Sequence, residues 1–200
     1  MGDVFRKIGL TGSIGMGKSM VSSILLACDI PVYDADRVVS ELYERDALPF
    51  LRKLCPDLTQ NDKVNRDLLW DMIIADPMIL KDLEDIIHPL VLARERAFIN
   101  EKREQGYKLV VLDIPLLFEC GRGPEMDFIL VSTTSTEIQR SRVLSRPGMT
   151  EAKFQCLLSR QLPDAWKCAH ADFVIDTSHG KLATAKQTID AITLRINRCL

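Results

Sequence analysis

Residues 12–19 carry Gly12, Ser13, Ile14, Gly15, Met16, Gly17, Lys18 and Ser19, and they match the spacing G-x-x-x-x-G-K-[ST]. Glycines at these places let a backbone curl around a polyphosphate so that several N–H groups point inward. A helix that starts at the loop adds the positive end of its dipole to the anion site. In that arrangement Lys18 reaches the β- and γ-phosphates and the Ser19 hydroxyl is placed to ligate Mg²⁺. The chemistry implied is binding of a nucleoside triphosphate such as ATP, with Met20 closing the stretch that surrounds it.

Such a loop works only between a strand and a helix, and the flanking residues supply both. Val4-Phe5 and Ile8-Gly9-Leu10 read as a buried strand. Val21, Ile24, Leu25 and Cys28 fall at i, i+3, i+4 and i+7, one face of a helix. Further apolar runs at Pro31-Val-Tyr33, Leu109–Leu112, Phe128–Val131 and Phe173–Ile175 read as buried parallel strands, giving five with Arg6–Leu10. Their alternation with helical stretches predicts an α/β fold with a parallel sheet covered on both faces. Polar residues follow the strands: Asp34 and Asp36, Asp113, Ser132-Thr133, Asp176-Thr-Ser. Ligands of open α/β sheets bind at the carboxyl ends of strands, so these residues should converge on one crevice.

The segment between Tyr33 and Leu109 is too long for a simple crossover. Leu68, Leu69, Met72 and Ile73, then Leu80, Leu83, Ile86 and Ile87, then Leu90, Ala93, Ala97 and Phe98 keep helical spacing. Asp76-Pro77 and His88-Pro89 mark helix breaks or starts. Residues 37–107 are therefore expected to form a helical insertion that holds a second substrate, with 1–36 and 108–200 as the nucleotide-binding core. After the fourth strand, Arg140, Arg142 and Arg146 stand against one acid, Glu137. Arg142 and Arg146 are four apart, hence on one helix face. Pro147-Gly148 ends that helix and Thr150 caps the next. An arginine-bearing hairpin at about 135–165 could close over bound nucleotide as a lid. Leu182–Leu200 reads as a final amphipathic helix.

Bulk properties narrow the class. The 200 residues suit one domain with a sizeable insertion, and 46% hydrophobic content suffices for a core. With 26 basic and 28 acidic residues the net charge of −2 exerts no general pull on nucleic acid or acidic membranes. No apolar run approaches the length of a membrane span. The six cysteines show no C-x-x-C pair and no zinc spacing, which favours free thiols in a reducing cytoplasm over a structural disulfide. The guanine-reading N-K-x-D sequence is absent. A small-molecule kinase suits a chain of this size better than an ATPase motor, which would need partner modules.

Gly9-Leu-Thr-Gly-Ser-Ile-Gly-Met-Gly-Lys-Ser19, Asp34-Ala-Asp36, His88-Pro-Leu90 and Pro115-Leu-Leu-Phe-Glu119 together resemble the dephospho-CoA kinase family. The Arg142-x-x-x-Arg146 pair and Arg160-Gln161 ahead of Ala171-Asp172 agree, so the resemblance runs over nearly the whole chain. It implies a P-loop NTPase fold with an acceptor-binding insertion and an arginine-bearing lid. It also implies ATP-dependent phosphorylation of the ribose 3′-hydroxyl of dephospho-CoA, the last step of coenzyme A synthesis, in the cytoplasm. No nucleic-acid or membrane partner is implied, and the chain would act as a monomer or small homo-oligomer. Kinases of another small acceptor, or a non-catalytic nucleotide switch, are the competing readings.

Phosphoryl transfer asks a protein mainly for positioning and charge stabilisation. By similarity Asp36 is the candidate general base, beside Asp34, which could orient it or cap a helix. Lys18, Arg142 and Arg146 are the candidate charge stabilisers, and Arg140 reads as a solvated neighbour. Asp113 could hold a Mg²⁺-bound water together with Ser19, or be a plain strand-end aspartate. The resemblance places Arg66, His88, Leu116 and Glu119 at the acceptor. Ser13 stands where many relatives carry glycine and Met20 where many carry threonine. A small side chain at the first and an outward-facing one at the second leave phosphate binding intact.

Overall fold

The computed structural model describes residues 5–60, 63–65, 68–69, 72 and 75–196. They divide into two compact units, one made of 1–33 with 102–200 and the other of 34–101.

The first unit is built on a parallel sheet. Strands β1 (Arg6–Thr11), β2 (Val32–Asp34), β5 (Leu109–Asp113), β6 (Phe128–Thr133) and β7 (Phe173–Asp176) lie in the order β2-β5-β1-β6-β7. Each expected strand is present, extended by one or two residues at its carboxyl end, where the polar residues sit. The register pairs Leu10 with Asp113 and Thr133 with Asp176, which brings the strand ends level. Ile8, Leu10, Val111, Leu130 and Ile175 pack with Val21 and Leu25 into one apolar core. Burial on both faces explains why these strands read as continuous apolar runs.

Helix α1 (Lys18–Ala27) begins directly after Gly17 and buries Val21, Ile24 and Leu25. Helices α5 (Thr136–Leu144) and α6 (Glu151–Ser159) form the arginine-bearing hairpin. The Ser135 side chain caps α5 by accepting from Ile138 N, and the Thr150 side chain caps α6 by accepting from Lys153 N. Helix α5 ends at Leu144, so Arg146 lies beyond it and does not share a helical face with Arg142. Pro147 is the reason: a residue before proline is biased out of the helical region. Short helix α7 (Asp164–Ala169) precedes β7, and α8 (Gly180–Asp190) follows it. The final helix read over Leu182–Leu200 is α8 followed by a π-helix at Ala191–Ile196, and residues 197–200 lie outside the described residues.

The second unit has its own core of Leu42, Leu51, Leu58, Leu83, Ile87 and Val91. Helix α2 (Ala35–Arg45) starts where Asp34 accepts a hydrogen bond from Arg37 N at 2.9 Å, and α3 (Leu48–Leu54) follows. Strands β3 (Thr59–Gln60) and β4 (Lys63–Val64) pair antiparallel. Helical spacing gave no hint of them, because two-residue strands are too short to show alternation. Helix α4 (Pro77–Glu104) begins at Pro77, as a proline favours, but runs straight through His88-Pro89. An interior proline removes one helical hydrogen bond and crowds the preceding turn. Burial of Leu83, Ile87 and Val91 on both sides of Pro89 offsets that cost. Among the described residues no helix is long and apolar enough to cross a membrane.

Candidate active site

The loop from Gly12 to Gly17 is shaped by what touches its glycines. Gly15 and Gly17 hold φ of 79° and 86°, the left-handed region that costs a glycine little. A Cβ on Gly17 would lie 2.6 Å from Thr177 Oγ1, and one on Gly15 would lie 2.6 Å from Val143 Cγ2. A Cβ on Gly12 would meet Ser132 Oγ at 2.3 Å. The loop glycines therefore let Ser132 of β6, Thr177 just past β7 and Val143 of α5 close on the loop from outside. Ser13 is buried.

Polar partners hold the outward-facing carbonyls. Thr177 Oγ1 donates to Met16 O at 3.0 Å. The Arg142 guanidinium donates to Thr177 Oγ1 and Thr177 O, both at 2.8 Å, and to Gly15 O at 3.4 Å. Gln139 Nε2 donates to Ile14 O at 2.8 Å, while Ile14 N donates to Gln161 Oε1 at 3.0 Å. With its carbonyls satisfied outside, the loop can turn N–H groups to the inside.

Lys18 and Ser19 open α1. Lys18 Nζ donates to Asp113 Oδ1, and Ser22 Oγ donates to Asp113 Oδ2. The Asp113 side chain is only 3% exposed, so the Lys18 ammonium is its counter-charge. Ser19 is exposed and Met20 half-buried. Asp176 ends β7 with its carboxyl held below the usual range, mainly by the Ser178 hydroxyl and then by the Ser178 N–H at 2.8 Å.

Other residues expected at the site are spread more widely. Leu116 is exposed just past β5. Glu119 is half-buried, and its Oε1 accepts from Leu162 N at 2.9 Å and lies 2.8 Å from Lys167 Nζ. Arg146 is exposed beyond α5, and Arg140 pairs with Glu151 at 2.8 Å on the surface. In the second unit Asp36 is exposed in the first turn of α2, two residues past β2, and His88 is exposed in mid-helix. Arg66 lies outside the described residues.

The sequence motifs give no role to Ser22, Gln139 or Lys167, include Thr177 only in the polar stretch past the last strand, and include Gln161 only in the Arg160-Gln161 motif of the resemblance. Ser22 had a signal, since it lies one helical turn after Lys18 on the same face. Thr177 had a weaker one, as the first residue past a strand. Gln139 had none in its own neighbourhood, and the Arg160-Gln161 motif does not point to the loop, for each glutamine meets it across more than a hundred residues of chain.

A parallel sheet in this order, a G-x-x-x-x-G-K-S loop between β1 and α1, and an acid ending β5 define a P-loop nucleotide-binding protein. A crystal structure of a Thermus thermophilus protein is similar, with a TM-score of 0.83 and 29% identity, over 96% of this chain and 98% of that one. The dephospho-CoA kinase from Campylobacter jejuni shares the fold at a TM-score of 0.66 and 20% identity, over 94% and 96% of the two chains. The family model described as dephospho-CoA kinase matches residues 6–183. A dephospho-CoA kinase from Rhodopseudomonas palustris is 42% identical over 193 residues, covering 96% of this chain and 93% of that protein. The chain belongs to the dephospho-CoA kinase family.

Proposed function

We propose that this chain transfers the γ-phosphoryl group of ATP to the ribose 3′-hydroxyl of dephospho-CoA, completing coenzyme A. The observation that carries this reading is the preformed loop at residues 12–19, with Lys18 at the start of α1 joined to Asp113 at the end of β5, in a chain of that family. ATP is the co-substrate, and Lys18 exchanges Asp113 for phosphate oxygens when it arrives. Arg142 holds the loop through Gly15 and Thr177 and adds positive charge beside it. Arg146, on the turn beyond α5, contributes charge as the 135–165 hairpin closes.

The hydroxyl of Ser19 and the carboxylate of Asp113 are hard oxygen donors that suit Mg²⁺, the second through water. When bound there, Mg²⁺ supplies charge neutralisation on the phosphates. Asp36 accepts the proton of the attacking hydroxyl. Its exposure, and its place just past the sheet edge strand β2, support that role. The unit at 34–101 is the acceptor-binding part of the chain, with His88 as one of its contacts. The protein works on a small molecule in the cytoplasm, as a monomer or small homo-oligomer.

The test is ADP release with Mg-ATP in the presence and absence of dephospho-CoA, with the product weighed by mass spectrometry. Turnover that requires the acceptor, and a product heavier by one phosphoryl group, are expected. Transfer to shikimate or a nucleoside monophosphate, with dephospho-CoA untouched, would refute the assignment.

A further inference from the structure

The Ile14 peptide is gripped on both sides, by Gln139 on its carbonyl and by Gln161 on its N–H. Gln161 is placed in turn by its neighbour, for Leu162 N donates to Glu119 Oε1 at 2.9 Å. The same oxygen lies 2.8 Å from Nζ of Lys167, a side chain with no exposure at all. A buried ammonium is costly unless a carboxylate stays beside it, so the pair holds Glu119 in one place. Glu119 Oε2 is also buried, with no hydrogen-bond partner among the described residues. The resemblance puts Glu119 at the acceptor, yet one of its oxygens is taken by the core and the other is shut away from solvent.

We infer that Glu119, Lys167 and Gln161 form a positioning relay for the nucleotide loop. The buried ion pair fixes Leu162, Leu162 fixes Gln161, and Gln161 sets the Ile14 peptide before ATP arrives. Glu119 is then a positioning residue for the nucleotide and not an acceptor contact. The inference rests on the reading of residues 12–19 as the ATP site and needs no particular acceptor. Without Gln161 the Ile14 N–H loses its fixed acceptor, and the loop must be reordered when nucleotide binds.

The variants are Gln161→Ala, Glu119→Ala and the double variant Glu119→Gln with Lys167→Met. The double variant keeps a carbonyl for Leu162 N and removes both buried charges. Each is titrated with a fluorescent ADP analogue and then assayed for the KM of ATP and of dephospho-CoA. Gln161→Ala and Glu119→Ala are expected to weaken ADP and raise the KM of ATP about tenfold, the scale of one hydrogen bond. The KM of dephospho-CoA should stay within about twofold, and the double variant should regain most of the ADP affinity. Unchanged ADP affinity in Gln161→Ala would overturn the relay. So would a Glu119→Ala protein with normal ADP affinity and a raised KM for dephospho-CoA. If Glu119→Ala fails to fold, Gln161→Ala and the double variant still decide. If the wild type transfers nothing to dephospho-CoA, the proposed function fails while the ADP titration still judges the relay.

Discussion

Residues 12–19 and residues 34–36 both lie at the carboxyl ends of strands of one sheet, yet they are built in opposite ways. The first stretch is buried at Gly12, Ser13, Gly15 and Met16, its glycines lie against Thr177, Val143 and Ser132, and its carbonyls are taken by Thr177, Arg142 and Gln139. The second puts Asp34 at the cap of a helix and leaves Asp36 exposed on its first turn. The difference teaches where each kind of chemistry can be placed. Binding a polyphosphate needs donors fixed in advance, which demands packing. Accepting a proton from an incoming hydroxyl needs an accessible carboxylate, which demands little packing. Substitutions in the loop should therefore disturb structure and function together, and substitutions at Asp36 should separate them.

The sharpest separation is expected at Asp36. Asp36→Asn should lower kcat by about a hundredfold or more, the scale of lost general-base catalysis, with ADP affinity and Tm unchanged. A variant that keeps its kcat would remove Asp36 from the chemistry, while negligible turnover in the wild type itself would favour the nucleotide-switch reading. Lys18→Ala comes next. It should lose about a hundredfold, mostly in kcat, because its charge acts on the transferring group. It should also lower Tm, since it strands the buried Asp113 carboxylate. An unchanged Tm would show that Ser22 alone satisfies Asp113.

Gly17→Ala tests the packed side of the comparison. Its Cβ would meet Thr177 Oγ1 at 2.6 Å from a backbone at φ 86°. A loss of about 1–3 kcal/mol in urea unfolding is expected, together with weaker ADP binding. Full stability with weak binding would mean that the loop shape is set by the ligand and not by the fold.

The smallest effect is at Asp176. Hydrogen bonds from Ser178 hold its folded-state carboxyl below the ordinary value, so the ionised form is favoured in the folded protein. That contribution is complete above the unfolded value of about 3.9 and disappears as pH falls through the lower folded value. The side chain is 43% exposed, which keeps the effect modest. The urea midpoint of the wild type should fall more steeply below about pH 4 than that of Asp176→Asn. Parallel curves for the two proteins down to pH 2 would refute it.

The sheet was legible because its strands are buried on both faces and so carry unbroken apolar runs, with Asp113 and Asp176 at their ends. The nucleotide loop was legible because Gly15 and Gly17 need special backbone angles within eight residues. The course of the chain at Pro89 and at Arg146 was not. At Pro89, burial of Leu83, Ile87 and Val91 overrode a local helix breaker. At Arg146 a local breaker, Pro147, overrode a four-residue spacing.

By itself the amino-acid sequence determined the elements whose causes are local: strand runs, helix caps at Asp34 and Thr150, and a loop that needs glycine. Only the tertiary structure decided that Gln161 meets Ile14, that Arg142 meets Thr177, and that Lys167 is buried against Glu119. A hydrogen bond between distant side chains has no period and no propensity in the sequence. It exists because the strand order brings two remote segments within about 3 Å, the only range at which a donor and an acceptor recognise each other.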